Sequence, residues 1–232
     1  MADKLNIKID IEEMAKLGVC FGHKSSKIHP KMKEFVVGVK GSDHIHIIDL
    51  NKTKEYLLKA LEFIKNLIQE KKVLLIVGTK PSIKNLVKEF AQECGLPYVN
   101  HRWVGGTLTN FGVIKKRIDY FKELERKLKE GELDKYTKKE RLQFQKELED
   151  LEEKFGGIKN LETLPDAIFI IDLSKEQTAW KEAKKKNIPI IAIVDTNADP
   201  TSVEFPIPAN DDAISSVKYI LEKVKEVIKK YK

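Results

Sequence analysis

Cysteine is nearly absent: Cys20 and Cys94 stand 74 positions apart with no CxxC spacing. That excludes a disulfide framework and a thiolate zinc site, and it leaves two reduced thiols. Long apolar runs are missing as well. No segment approaches the roughly eighteen apolar residues of a membrane span, and the opening MADKLNIKIDIEEM lacks the apolar stretch of a signal peptide. Glycine is scarce where a phosphate loop needs it. The turn Gly78-Thr79-Lys80-Pro81-Ser82 has one glycine where GxGxxG requires three, and Pro81 removes an N–H donor near the helix start. There is no GxSxG elbow, no catalytic signature around either cysteine and no helix pairing His at i and i+4. No cofactor, metal centre or small-molecule substrate is therefore expected.

What is present suffices for a core, since 41% of the 232 residues are hydrophobic. Short β-branched runs alternate with helical patterns: FVVGV (35–39), HIHIID (44–49), VLLIVG (73–78), AIFIID (167–172) and PIIAIVD (189–195). The spacing predicts helices after Asn51, Thr79, Ser174 and Asp211, each of these acting as a cap. His44 and His46 would alternate along one strand and share a face. Continuous apolar strands flanked by helices indicate an α/β fold, a doubly wound and mostly parallel sheet covered on both faces.

Residues 112–155 break the alternation. Ile114, Ile118, Phe121, Leu124 and Leu128 form one stripe and Phe144, Leu148, Leu151 and Phe155 another, with GELDKYTKKE between them. The pattern predicts an inserted antiparallel helical hairpin, a coiled-coil arm projecting about 25 Å from a body formed by 1–111 and 156–232.

Charge is segregated. The net charge is +7, yet residues 22–33 alone hold Lys24, Lys27, Lys31 and Lys33 with no acid, and residues 99–117 hold Arg102, Lys115, Lys116 and Arg117 with none. Residues 121–155 carry ten basic and eleven acidic side chains, so the hairpin is close to neutral and suits contact with protein. Two acid-free basic stretches, rich in Gly, Ser, Thr and His, suit an anionic partner.

A catalytic alternative rests on strand-end carboxylates. Asp49, Asp172 and Asp195 each end an apolar run, and Asp49-Leu50-Asn51-Lys52-Thr53 approaches the DxDxT of aspartate-nucleophile phosphatases, with Asn in place of the second Asp. Converging there, the three carboxylates could hold Mg²⁺ for phosphoryl transfer. A third class is an adaptor that binds protein through the hairpin alone.

The stretch NHRWVGGTLTNF (100–111) weighs the balance toward RNA. Arg102 offers a planar fork for phosphate, Trp103 anchors or stacks, and Gly105 and Gly106 permit close approach of a polynucleotide backbone or form a backbone nest for an anion. This stretch resembles the RW-[LV]-GGTLTN signature of the bacterial ribosomal protein S2 family. The resemblance continues through GVCFGH…HPKMKEFV (18–36), HIHIIDLNKT (44–53), VGTKPS (77–82), LPDAIFIIDLSKE (164–176), NIPIIAIVDTNADP (187–200) and FPIPANDDAI (205–214). It implies a non-enzymatic protein of the 30S subunit in the cytoplasm, bound to 16S rRNA at the head–body junction. It also implies neighbours among the small-subunit proteins, including ribosomal protein S1, and thereby support for mRNA recruitment. Membranes play no part. On this reading His23, Lys24, Lys27, Lys31, Lys33, Arg102, Trp103, Gly105, Gly106, Lys115, Lys116 and Arg117 form the RNA-binding set. The chain departs from the family pattern at Cys20 (HFGH), Ile28-His29 (WN before PKM), Leu173-Ser174 (Pro-Arg) and Ala198 (Cys). These changes remove an aromatic, a histidine and one candidate phosphate contact.

Overall fold

The computed structural model describes residues 7–41 and 44–232. Five parallel strands form the central sheet: β4 (Leu74–Val77), β5 (Tyr98–Val99), β6 (Ala167–Ile171), β7 (Ile190–Val194) and β8 (Phe205–Pro208), in the order β5-β4-β6-β7-β8. Their alternating side chains divide the core in two. Leu74, Ile76, Phe169, Ile171, Ile191 and Ile193 face the cluster built with α1 (Ile11–Lys16), α2 (Leu50–Gln69), α3 (Lys84–Cys94) and α7 (Ile214–Tyr231). Leu75, Val77, Ile168, Ile170, Ala192 and Val194 face α4 (Phe111–Lys129), α5 (Lys138–Phe155) and α6 (Gln177–Lys185). Both faces are covered, which is why these strands read as unbroken apolar runs. No helix of the described residues is long and apolar enough to cross a membrane.

Two expected strands lie elsewhere. β2 (Val36–Lys40) and β3 (Ile45–Ile48) pair antiparallel, with β1 (Phe21–Lys24) on the far side of β3. A link of four residues cannot make the crossover that parallel neighbours need, so this pair could not have joined the central sheet as consecutive parallel strands. His44 precedes β3 in a left-handed turn (φ 49°) and is exposed, whereas His46 is buried; the two share no strand face. β5 and β8 were not legible as strands. One is two residues long, and the other, Phe-Pro-Ile-Pro, carries prolines that only an edge position tolerates.

The helix starts differ as well. Asp49 rather than Asn51 caps α2, its Oδ1 accepting from Asn51 N at 2.9 Å. α3 and α6 begin at Lys84 and Gln177 without a side-chain cap, and ahead of α7 it is Asn210 that accepts from the N–H groups of Asp212 and Ala213. Thr79, Ser174 and Asp211 have other partners. α5 does start on a capping box, with Thr137 and Glu140 bonded reciprocally.

The α4–α5 hairpin shares the core of the sheet at its root. Ile114, Ile118, Phe121, Leu124, Leu151 and Phe155 are buried with strand residues, whereas Leu128, Tyr136 and Leu142 are exposed toward its far end. Gly157 closes this root against β5, because a Cβ there would fall inside the contact radius of the Tyr98 carbonyl oxygen. Gly157→Ala is expected to lower unfolding stability by roughly 2 kcal/mol or more, since backbone rather than a side-chain tip must move. Gly105→Ala, whose Cβ meets nothing within 4 Å, should be neutral. Urea unfolding of the two variants side by side checks both.

Candidate nucleic-acid interface

The loop after β5 carries Arg102, Trp103, Gly105 and Gly106 and runs into α4. A buried carboxylate from α6 holds it. Glu182 lies between the buried Ala179 and Ala183, on the face of α6 that meets the core. Its Oε1 accepts from Trp103 Nε1 at 3.2 Å and Gly106 N at 2.7 Å. Its Oε2 accepts from Leu108 N at 2.9 Å, Thr109 N at 3.0 Å and Thr109 Oγ1 at 3.1 Å. Burial opposes ionisation of this carboxyl. The donors from Thr109, Gly106, Leu108 and Trp103 outweigh it, and the group is held below the usual carboxylate range.

The backbone nest expected at Gly105-Gly106 thus exists in part, but an internal anion fills it. The Gly106 N–H is spent on Glu182 and is not open to phosphate, and the glycine itself is required by its left-handed φ of 92°. Trp103 is buried, with its indole N–H on Glu182, and so takes the anchoring role and not the stacking one. Arg102 and Gly105 are left on the surface. Nothing in the local composition around Glu182 marks it, since it sits in the run WKEAKKK; the only signal is an acid at the helical spacing of two buried alanines.

The first basic stretch comprises β1 and two short 3-10 turns over Ser25–Lys27 and Pro30–Phe35. It is laid against the loop that follows β7: His23 N donates to Thr196 Oγ1 at 2.9 Å and His29 N to Thr196 O at 2.7 Å. Lys24, Lys27, Lys31 and Lys33 are all exposed. Lys31 is paired with Asp199 at 3.0 Å, and Lys115 in the second stretch with Glu162 at 2.6 Å. Lys27, Lys33, Arg102, Lys116 and Arg117 form no hydrogen bond or ion pair among the described residues. The first stretch packs on the loop that follows β7 and the second follows β5, two strands of the sheet that are separated by β4 and β6.

His23 turns inward from the first stretch. Its Nδ1 lies 3.1 Å from Asp195 and its Nε2 3.5 Å from Asp212, and the hydrogen bond to Asp195 raises its pKa against the effect of burial. Beside it, Lys80 reaches Asp172 at 2.8 Å, Asp211 at 3.1 Å and Asp212 at 2.6 Å. Asp211 is pushed up to about 7 by burial and then by the charges of Asp172 and Asp195. Asp172 and Asp195 therefore do converge on one crevice, but Asp49 does not join them, and Thr53 donates to the Pro208 carbonyl at 2.6 Å. A lysine occupies the middle of the crevice. His23, Asp195 and Asp212 place potential ligand atoms within 4.8 Å of one another, so among the described residues these three could hold a cation. Thr79 and Ser174, expected as caps, bond Glu176 and Asn197 in the same region.

Comparison with known proteins supplies an independent observation. The family described as ribosomal protein S2 matches the chain over residues 14–230. A small ribosomal subunit protein uS2 from a Nitratiruptor species is 44% identical over 220 residues, covering 95% of this chain and 82% of that protein. A uS2 of Marinobacter nauticus is 43% identical over 217 residues, 94% and 86% of the two chains. One from Coprothermobacter proteolyticus is 42% identical over 220 residues, 95% and 81% of the two chains.

Removing the Glu182 carboxylate strands three backbone N–H groups and an indole. Glu182→Ala should cost about 3 kcal/mol at neutral pH. Because the folded pKa lies below the ordinary 4.5, the contribution is complete above that value and disappears as pH falls through the folded value. The stability gap between wild type and variant, read from urea curves across an acid series, should therefore narrow only below that value.

Proposed function

Because the chain belongs to the ribosomal protein S2 family, a family of small-subunit ribosomal proteins and not of enzymes, we propose that it binds 16S rRNA through its two basic stretches at the head–body junction of the 30S subunit. The observation that carries this reading is the distribution of unpaired cations. Lys27, Lys33, Arg102, Lys116 and Arg117 form no hydrogen bond or ion pair among the described residues and lie on the acid-free stretches. Phosphate contacts from Lys and Arg supply most of the affinity of such an interface. Lys24 belongs to the same exposed surface, while Lys31 and Lys115 contribute by exchanging Asp199 and Glu162 for phosphate. His23, Trp103 and Gly106 act indirectly, by holding the two stretches against the body, and Gly105 keeps the approach beside Arg102 free of a side chain.

The hairpin serves protein contacts, including those that help retain ribosomal protein S1 and so bring mRNA to the subunit. Several of its cations are spent on its own acids, although Lys138, Lys139 and Lys146 form no ion pair among the described residues. Arg126 bonds Glu123, Glu130 and Glu132, Lys129 bonds Glu125, and Arg141 bonds Asp134. Leu128, Tyr136 and Leu142 stay exposed between them.

Lys33→Gln or Lys116→Gln should weaken 16S rRNA binding and reduce the slope of log affinity against log salt by about one each. Co-sedimentation with 30S particles across a salt series reads this directly. Unchanged slopes for both variants would remove the assignment. Shortening the hairpin between Leu124 and Leu151, both of which must stay because they are core, should leave that slope intact while releasing protein neighbours.

A further inference from the structure

A cleft of about 620 Å³ opens between the Arg102–Gly105 turn and the facing sides of α4 and α5. We propose that it takes one unstacked nucleotide of the rRNA, with a phosphate held between Arg102 and Arg117 and the base against Val104, Val113 and Leu151. The inference rests on the rRNA-binding reading and adds to it a pocket and a ligand chemistry.

Charge accounting selects the occupant. Five charged side chains line the cleft: Arg102, Arg117, Glu147, Asp150 and Lys154. Asp150 is neutralised by Lys154 at 2.5 Å, and Glu147 accepts a hydrogen bond from Tyr120. Arg102 and Arg117 are the two left without a hydrogen bond or ion pair among the described residues. Against these two guanidinium groups stands only the Glu147 carboxylate, so the recess keeps one net positive charge, which a single phosphodiester neutralises, and the planar forks match phosphate oxygens. The recess is also apolar in part. Val113 is 52% exposed near the start of α4, an apolar surface that a base can cover. The volume lies within the range of small-ligand pockets, about 300–1,000 Å³, which suits a nucleotide and is far too narrow for a duplex. Gly105 leaves the mouth clear, since a Cβ there would meet nothing within 4 Å. An acidic side chain from a neighbouring protein would satisfy the arginines but would not use the Val113 wall.

The test uses 30S subunits reconstituted with the intact chain, irradiated with ultraviolet light and mapped by mass spectrometry. A nucleotide cross-linked to the segments 102–105 or 113–117 is expected. Val113→Trp, which fills the recess from an exposed position, should abolish that cross-link and weaken retention roughly tenfold, the scale of one lost base contact. The Arg102→Gln, Arg117→Gln double variant should reduce the salt slope by about one and not two, because both groups serve a single phosphate. This variant decides the matter should Val113→Trp fail to fold. Retention of the intact chain on 30S with cross-links confined to 24–33, or a cross-link from the cleft to a protein, would overturn the pocket and leave the rRNA reading standing. Failure of the intact chain to be retained at all would remove both.

Discussion

The conformation of the loop from Trp103 to Thr109 depends on a single buried carboxylate. Glu182 gathers five donors from the segment between Trp103 and Thr109, and among the described residues no other side chain bonds so many of its backbone groups. Donors are satisfied in the protein interior or they cost free energy, so a loop with this many inward N–H groups needs an acceptor beneath it. An ionised carboxylate is the strongest acceptor a side chain can offer. By filling the nest from behind, Glu182 also decides what the loop can present in front. The amides are spent, and what the loop leaves on the surface includes the Arg102 side chain.

The same device recurs where the strands end. In open parallel sheets the crevice beyond the strand ends, at the point where strand order reverses, is the usual ligand site. Here β5 lies on one side of β4 and β6 on the other, which puts Lys80, just after β4, and Asp172, just after β6, at that point. The ammonium of Lys80 sits among Asp172, Asp211 and Asp212; burial opposes its charge, but these partners outweigh burial and hold it charged. Asp172 itself adopts a left-handed conformation, φ 73°, that a non-glycine residue takes only under constraint. An ion cluster of the protein's own making thus occupies the middle of the crevice that a doubly wound enzyme would keep for substrate. Fold class alone suggested a ligand there; the charges argue for a structural hub that ties four strand ends to β1 through His23.

How much of this was readable from residues alone follows from the range of the interactions. The three central strands and the stripes of α4 and α5 are local patterns and were legible. The caps were not. An Asp, Ser or Thr after a strand looks the same whether it bonds the next helix or a residue far along the chain, as Thr79 does with Glu176 and Asp211 with Lys80. β8 was hidden by its prolines, and β2 and β3 were read into the wrong sheet because apolar runs do not state their partners. In the two basic stretches, the exposure of most of the cations was legible because charge segregation is visible in one dimension. Glu182 was not, since its role exists only against a loop more than seventy residues earlier in the chain.

Charge number is a poor guide in a chain this rich in lysine, and charge pairing is a better one. The hairpin is dense in cations, but Arg126, Lys129, Arg141 and Lys154 each face an acid of their own helix or loop. An exposed pair of that kind adds little stability, yet it removes a cation from competition for phosphate. The acid-free stretches hold eight cations, and Lys27, Lys33, Arg102, Lys116 and Arg117 form no ion pair among the described residues. Counterion release rewards only those. The proposed division of labour, with RNA met by the body and protein by the hairpin, therefore rests on where the acids are placed and not on the number of cations.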